Sequence, residues 1–393
     1  MLPLVGLLFC MLSLIALPVS AENTLNQDQV EIPAFSKAQL GQILFFDTNL
    51  SKNRSQSCAT CHNPDHAFID DRDSKVDGMV SQGDDLTKFG DRNTPTASYA
   101  NKIPRITRSD TGVFKGGLFF DGRQRDLAGQ AGEPLLNPVE MGMGSKTEVV
   151  GRLLENTFYE QAFKDVYGDA VFDDVERAYE AMTDSIAEFE KSDFFSPFDS
   201  KYDRYLRNEV EFTRLESLGE ALFFSQQFTN CNRCHQLKAF PKSRGETFTN
   251  YQYHNLGVPK NERVRAMNGL GADYVDRGLL EHPRIDDPNQ AGKFKVSTLR
   301  NVAVTGPYMH NGVFKDLRTV VLFYDKFNNS TRTINPETGK PWRKPEVDQN
   351  LALEEEEFKA RALTDEQVDA LVAFMKTLTD QRYEHLIDSK KEQ

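Results

Sequence analysis

Cys58, Cys61 and His62 stand in the order C-x-x-C-H, and Cys231, Cys234 and His235 repeat it. Two thiols at this spacing can add to the two vinyl groups of one porphyrin. The adjacent imidazole is then held under the iron as its proximal ligand. The pattern predicts two covalently bound c-type haems, haem one at Cys58, Cys61 and His62, and haem two at Cys231, Cys234 and His235. Two C-x-x-C pairs could instead share one zinc ion. Zinc, however, does not need a His directly after each pair, and these pairs lie further apart than in a zinc ribbon. A redox disulfide of the thioredoxin kind needs one pair only.

The elements around the motifs are duplicated as well. Leu40-Gly41-Gln42-Ile43-Leu44-Phe45-Phe46 precedes the first motif, and Leu218-Gly219-Glu220-Ala221-Leu222-Phe223-Phe224 precedes the second. Each half then ends in a helical pattern. Val175, Ala178, Tyr179, Met182, Ile186 and Phe189 recur at spacings of three or four, and Val368, Leu371, Val372, Met375 and Leu378 do the same. Thr364 with Gln367 predicts a capping box, and Leu363 can staple onto Val368. A helix before the motif and a helix at the end is the minimal plan of a c-type cytochrome domain. Between these landmarks run long Gly-, Pro-, Asp- and Asn-rich stretches, over 63–118 and 325–362, of a length that implies function or cofactor wrapping. Strand signals are few. The expected fold is mainly α, with two tandem cytochrome c-type haem domains and long ordered loops. Their expected ranges are 22–205 and 206–393, joined near 194–212.

The first 21 residues carry no charged side chain, and Leu2 to Leu17 is almost wholly apolar. Small residues at Val19 and Ala21 fit cleavage of a signal peptide before Glu22. The apolar run is short for a membrane span, and no later segment is apolar enough to span. The expected product is exported, periplasmic or otherwise, without stable membrane insertion. Phe9 before Cys10 is too large for a lipoprotein signal, so Cys10 belongs to the removed peptide. The chain of 393 residues carries a net charge of -12, spread along its length, which argues against nucleic acid as a partner. The run Glu354-Glu355-Glu356-Glu357 reads as a solvated loop or helix start.

Further ordered motifs carry a resemblance. They are Arg92-Asn93-Thr94-Pro95; Phe120-Asp121-Gly122-Arg123 with Gln130, Pro134 and Asn137-Pro138-Val139-Glu140-Met141; Thr298-Leu299-Arg300-Asn301-Val302; and Pro307-Tyr308-Met309-His310-Asn311-Gly312. With the haem motifs, they make the chain resemble the bacterial di-haem cytochrome c peroxidase and MauG superfamily over nearly all of its length after residue 21. The resemblance implies that haem one is the peroxide site, in the N-terminal peroxidatic domain, with Gln130, Pro134 and Glu140 in its distal pocket. A carboxylate over the iron can move a proton from the inner to the outer peroxide oxygen. By spacing alone, Glu140 reads rather as favouring a helix start, and it is the resemblance that reverses this. In the peroxidase branch a distal His from the loop after the first motif often blocks haem one. Here residues 67–118 contain no His, and His66 follows His62 too closely to reach the opposite face. Haem one is therefore expected to be open at rest.

The resemblance also implies a second axial ligand for haem two at Tyr324, the MauG-like choice where peroxidases have Met. A hard anionic tyrosinate stabilises oxidised iron. From the residues alone, Tyr324 could be a core tyrosine and Met309 the ligand. A calcium ion between the haems is implied as well, on the Asn93 side chain and the Thr305 and Pro307 carbonyls, all oxygen donors; these could also be plain turn residues. One departure stands out: the family usually has Trp where this chain has Phe120, and phenylalanine is a poor electron relay. The expected function is a MauG-like oxidoreductase. It would react with hydrogen peroxide at haem one, store two oxidising equivalents over both haems, and oxidise a Trp or Tyr of a partner protein. The alternative is a cytochrome c peroxidase that reduces peroxide with electrons from a small cytochrome or copper protein; a di-haem carrier without catalysis is the third. His254, His282 and His385 are expected to be surface or packing residues, and His310 a haem-propionate contact or a turn residue.

Overall fold

Two helix pairs, one in each half of the chain, set the architecture. The structure, a computed structural model, describes residues 35–355 and 358–389. The expected signal peptide and Cys10 lie outside the described residues, as do residues 356 and 357 of the acidic run; Glu355 is exposed. The helices are α1 (Lys37–Phe46), α2 (Cys58–Cys61), α3 (Leu127–Leu136), α4 (Lys146–Leu154), α5 (Thr157–Tyr167), α6 (Val175–Glu190) and α7 (Lys201–Leu206), then α8 (Arg214–Phe223), α9 (Cys231–Cys234), α10 (Glu262–Asn268), α11 (Leu317–Asp325), α12 (Asp365–Lys376) and α13 (Leu386–Ser389). Capping boxes start α1 at Ser36 with Gln39, α8 at Thr213 with Glu216, and α12 at Thr364 with Gln367. Each box satisfies backbone N–H groups that a helix start leaves without partners.

The duplicated Leu-Gly segments form α1 and α8, and the glycine of each is where a partner helix presses in. A Cβ on Gly41 would lie 1.8 Å from the Ser185 carbonyl oxygen of α6. A Cβ on Gly219 would lie 1.9 Å from the Ala370 carbonyl oxygen of α12. Only hydrogen fits at either crossing. α6 buries Ala178, Tyr179, Met182, Ile186 and Phe189, the predicted stripe, and α12 buries Val368, Leu371 and Met375. One apolar cluster gathers buried residues from Leu40 to Phe195, and another gathers Tyr202 to Leu378.

Among the described residues the strands are six, in three two-stranded antiparallel ribbons: β1 (Thr107–Arg108) with β2 (Phe114–Lys115), β3 (Tyr253–His254) with β4 (Phe294–Lys295), and β5 (Ile334–Asn335) with β6 (Lys340–Pro341). Lys115 also bridges Gln252, and the Gly116 N–H donates to the Tyr251 carbonyl at 2.9 Å. This joins the loop before α3 to the segment after α9. Trp342 packs edge-on against Phe314 and Phe323. Among the described residues, no helix is long and apolar enough to cross a membrane.

Candidate haem and peroxide site

Both haem motifs have the same local geometry. The cysteines occupy one-turn helices, α2 and α9, and each histidine caps its helix, its N–H donating to the carbonyl of the first cysteine at 2.9 Å. The His62 ring donates through Nδ1 to the Phe68 carbonyl at 3.1 Å, and the His235 ring likewise to the Phe248 carbonyl at 3.2 Å. Both phenylalanines are fully buried, and both take the left-handed backbone conformation, with φ of 57° and 53°. With Nδ1 committed as a donor, the Nε2 lone pair of each ring is left to ligate iron. Burial lowers the pKa of His62 and pushes that of His235 down to about 4, so both imidazoles are neutral.

Among the described residues, none of Cys58, Cys61, Cys231 and Cys234 is in a disulfide. Among the described residues, no group of three or more His, Cys, Asp or Glu side chains comes together to hold a metal ion, so the two C-x-x-C pairs do not meet in a shared zinc site. A single connected cavity of about 730 Å³ is walled by Cys58, Cys61 and His62 and by Cys231, Cys234 and His235. Paired thiols outside any disulfide, an oriented imidazole and adjoining space, present twice, fit two covalently held haems.

Helix α3 brings Gln130 and Pro134 to the wall of this cavity. It ends at Asn137, and Glu140 lies in the turn that follows rather than at the start of a helix. The turn is pinned on both sides. Met141 N–H donates to the Pro134 carbonyl at 3.1 Å, and Asp84 N–H donates to the Glu140 carbonyl at 2.7 Å. The Glu140 side chain lines the cavity, and burial lifts its carboxyl to about 7 against the pull of Arg123. A carboxyl near neutrality can both take and give a proton.

Phe120 lines the same cavity and is held by its backbone, Lys295 N–H donating to its carbonyl at 2.9 Å. The neighbouring Asp121 pairs with Arg92 and Arg123, and Arg92 also pairs with Asp276 and Glu281. On the haem-two side, α11 carries Tyr324 into the wall. Its hydroxyl makes no hydrogen bond to a described residue, and burial raises its pKa, with the Cys234 and Cys231 thiols adding to the effect. Met309 reaches the cavity too, from a left-handed backbone position with φ of 71°. His66 is half-buried, lies 2.9 Å from Asp71 and is absent from the cavity wall. Asn93, Thr305 and Pro307 meet at a small recess beside Asp70. There the Asn93 amide donates to the Met79 carbonyl at 3.0 Å, which leaves its Oδ1 free to accept or ligate.

Several wall residues were not singled out from sequence. His254 was expected to be a surface or packing residue but lines the cavity with a buried, unpartnered Nε2. His310 is no simple turn residue: it stacks on Phe294 at 3.5 Å and 8°, in the cavity wall. His282 is buried in packing, and His385 is exposed. Lys295 is buried and donates to the Gly117 and Phe119 carbonyls at 2.6 and 2.7 Å; burial pulls it down to about 7. Glu190 is 6% exposed, lines the cavity and has one oxygen with no partner; burial raises it to about 8. The sequence signal for Glu190 was its place four residues after Ile186, a charge on an apolar stripe.

Fold and site together define a tandem c-type haem protein whose cavity holds a carboxyl near neutrality at Glu140. The family model for di-haem cytochrome c peroxidase matches residues 35–211. The methylamine utilization protein MauG of Paracoccus denitrificans is 50% identical over 379 residues, covering 96% of each chain. The cytochrome c peroxidase Ccp of Escherichia coli is 31% identical over 70% of this chain and 50% of its own. The crystal structure of the diheme peroxidase BthA from Burkholderia thailandensis superposes with a TM-score of 0.77 at 32% identity, covering 88% of this chain and 87% of that one. The chain belongs to the di-haem cytochrome c peroxidase family, and within it is similar to MauG over nearly its full length. It is a peroxide-dependent di-haem oxidoreductase with two c-type haems.

Proposed function

We propose that haem one, on His62, is the peroxide centre with Glu140 as its acid/base, and that Tyr324 is the second axial ligand of haem two. The chain then works in the MauG manner, passing two oxidising equivalents to a Trp or Tyr of a partner protein. The observation that carries this is Tyr324 itself, in the cavity wall near the Cys231 and Cys234 thiols, with no hydrogen bond from its hydroxyl to a described residue. A phenol at the cavity wall with no protein partner is available to ligate iron. When bound, the haems supply the iron that accepts and stores the oxidising equivalents.

The residues of the chain supply the rest. Glu140 takes a proton from the peroxide and returns it to the leaving oxygen. Gln130 orients the peroxide through its amide, and Pro134, with no N–H, limits what else binds. His66, held beside Asp71 and absent from the cavity wall, leaves the distal face open. A calcium ion on Asn93, Thr305 and Pro307 would tie the two motif loops together, in keeping with the recess they share. Export to the periplasm after removal of residues 1–21 completes the reading.

The test is one equivalent of hydrogen peroxide added to the di-ferric protein, followed by Mössbauer and EPR spectroscopy. Oxidation of both irons without prior reduction supports the MauG-like function. Phe120, a poor relay, favours the alternative of a peroxidase fed by a small cytochrome or copper protein. No reaction until one haem is reduced, then rapid oxidation of an added cytochrome, would establish that alternative. Metal analysis before and after chelation, on the native protein and on Asn93→Ala, tests the calcium: one ion lost in each case supports it, and no bound calcium in the native protein removes it.

A further inference from the structure

Four tyrosines line the haem cavity: Tyr99, Tyr251, Tyr308 and Tyr324. They differ in where a phenolic proton could go. The Tyr308 hydroxyl donates to the Val302 carbonyl at 3.0 Å, and a carbonyl cannot hold the proton. The Tyr251 hydroxyl is buried without a partner, and that of Tyr324 makes no hydrogen bond to a described residue. The Tyr99 hydroxyl donates to Asp380 Oδ1 at 2.5 Å. Tyr99 is 1% exposed and Asp380 is 0% exposed. The carboxylate is fixed by Asn301, whose amide donates to Asp380 Oδ2 at 2.8 Å and whose Oδ1 accepts from the Asp380 N–H at 2.8 Å. Phe198 N–H donates to the Tyr99 hydroxyl at 3.1 Å.

We propose that Tyr99 is a redox-active residue, with Asp380 as its proton acceptor, that takes up an oxidising equivalent from the haems and holds it as a neutral tyrosyl radical. The proposal rests on the peroxide chemistry above. One electron leaves the Tyr99 ring and reduces the peroxide-oxidised haem by one equivalent. The phenolic O–H bond breaks, and its proton forms a new O–H bond on Asp380 Oδ1. The hole therefore becomes a neutral radical beside a neutral carboxyl.

The surroundings require this coupling. The Arg300 guanidinium lies 5.4 Å from the Tyr99 ring, so a cationic ring would face a buried positive charge. Arg300 also lies 5.3 Å from the ring of Phe248, whose carbonyl holds His235. Tyr99 thus stands in the cavity wall and one residue away from the support of the haem-two ligand. Phe120 offers no comparable site, having neither N–H nor O–H. The charged groups around the carboxyl are Arg300 and Asp199, with Asp203 paired to Arg300. Burial raises Asp380 to about 6 against hydrogen bonds from Tyr99 and Asn301, so it is ionised at neutral pH and able to accept.

The experiment is freeze-quench EPR and proton ENDOR on the full di-haem protein after one equivalent of hydrogen peroxide, with haem oxidation followed optically. The expected result is an organic radical that narrows with ring-deuterated tyrosine and shows solvent-exchangeable protons hydrogen-bonded to the phenoxyl oxygen, from the Asp380 carboxyl and the Phe198 N–H. Loss of the signal in Tyr99→Phe and in Asp380→Asn, with its retention in Tyr251→Phe, completes the assignment. A purely structural Tyr99–Asp380 contact would give no radical. Haem oxidation without a tyrosyl signal, a signal without the exchangeable protons, or a signal that survives Tyr99→Phe overturns the proposal. An unchanged haem spectrum would instead overturn the peroxide reading, and this proposal with it. If Tyr99→Phe fails to assemble, the exchangeable coupling in the unaltered protein decides, because among the cavity tyrosines Tyr99 alone has a carboxyl partner.

Discussion

Arg92 Nε lies 2.7 Å from Asp276 Oδ2, and the carboxylate is 1% exposed. The same guanidinium reaches Asp121 of the Asp-Gly-Arg motif, so one side chain couples the segment before α3 to the second half of the chain. Removing one partner of a buried ion pair leaves an uncompensated charge and costs about 3–5 kcal/mol. Arg92→Met should therefore lower stability by about that amount in chemical denaturation. Burial alone would raise the pKa of Asp276, but the hydrogen bond and charge of Arg92 hold it down to about 2. A depressed folded pKa gives stability that is complete above the unfolded value of about 3.9 and lost as pH falls toward 2. Acid denaturation curves of the native protein and Arg92→Met should converge over that window.

Glu140 runs the opposite way. Burial lifts it to about 7, so it is partly protonated at neutral pH. As the base toward peroxide it must be ionised, and the rate of haem-one oxidation should rise with pH through about 7. Glu140→Gln should slow that step by about 10²–10⁴-fold and flatten the profile. Stopped-flow absorbance between pH 5 and 9 checks both. A raised folded pKa also means that the contribution to stability is present below about 4.3 and lost as pH climbs through 7.

Tyr324→Met distinguishes the two candidate ligands of haem two. If the phenol ligates, a thioether in its place should raise the haem-two potential by tenths of a volt, within the roughly 0.8 V that axial ligands span. Spectroelectrochemical titration measures it. An unchanged potential would identify Met309 as the ligand already in place.

The helix crossings predict a matched pair of failures and one benign control. Gly41→Ala and Gly219→Ala push a methyl into backbone carbonyls at 1.8 and 1.9 Å, and each should destabilise by about 1–3 kcal/mol or more. Gly151→Ala in α4 meets nothing within 4 Å and should stabilise by about 0.8–1.0 kcal/mol through helix propensity. Chemical denaturation and haem content of the three variants check this.

The sequence by itself determined what depends on short-range order. The two C-x-x-C-H motifs, the duplicated helix before each, the stripe on α6 and the capping box at Thr364 all follow from residue type and spacing, because vinyl chemistry, helix period and cap geometry act within a few residues. The family motifs placed Gln130, Pro134 and Glu140 in order. The position of Glu140 after a helix rather than at the start of one was not legible, because spacing alone favours a helix start.

Tertiary structure alone decided what depends on partners far apart in the chain. Nothing near Asn137 in sequence says that burial will bring Glu140 to about 7. His254 and Glu190 read as ordinary residues until folding placed them in the cavity wall. The Tyr99–Asp380 and Arg92–Asp276 contacts span 281 and 184 positions. Their strength comes from loss of water around paired groups, a property of the folded interior that no local pattern encodes.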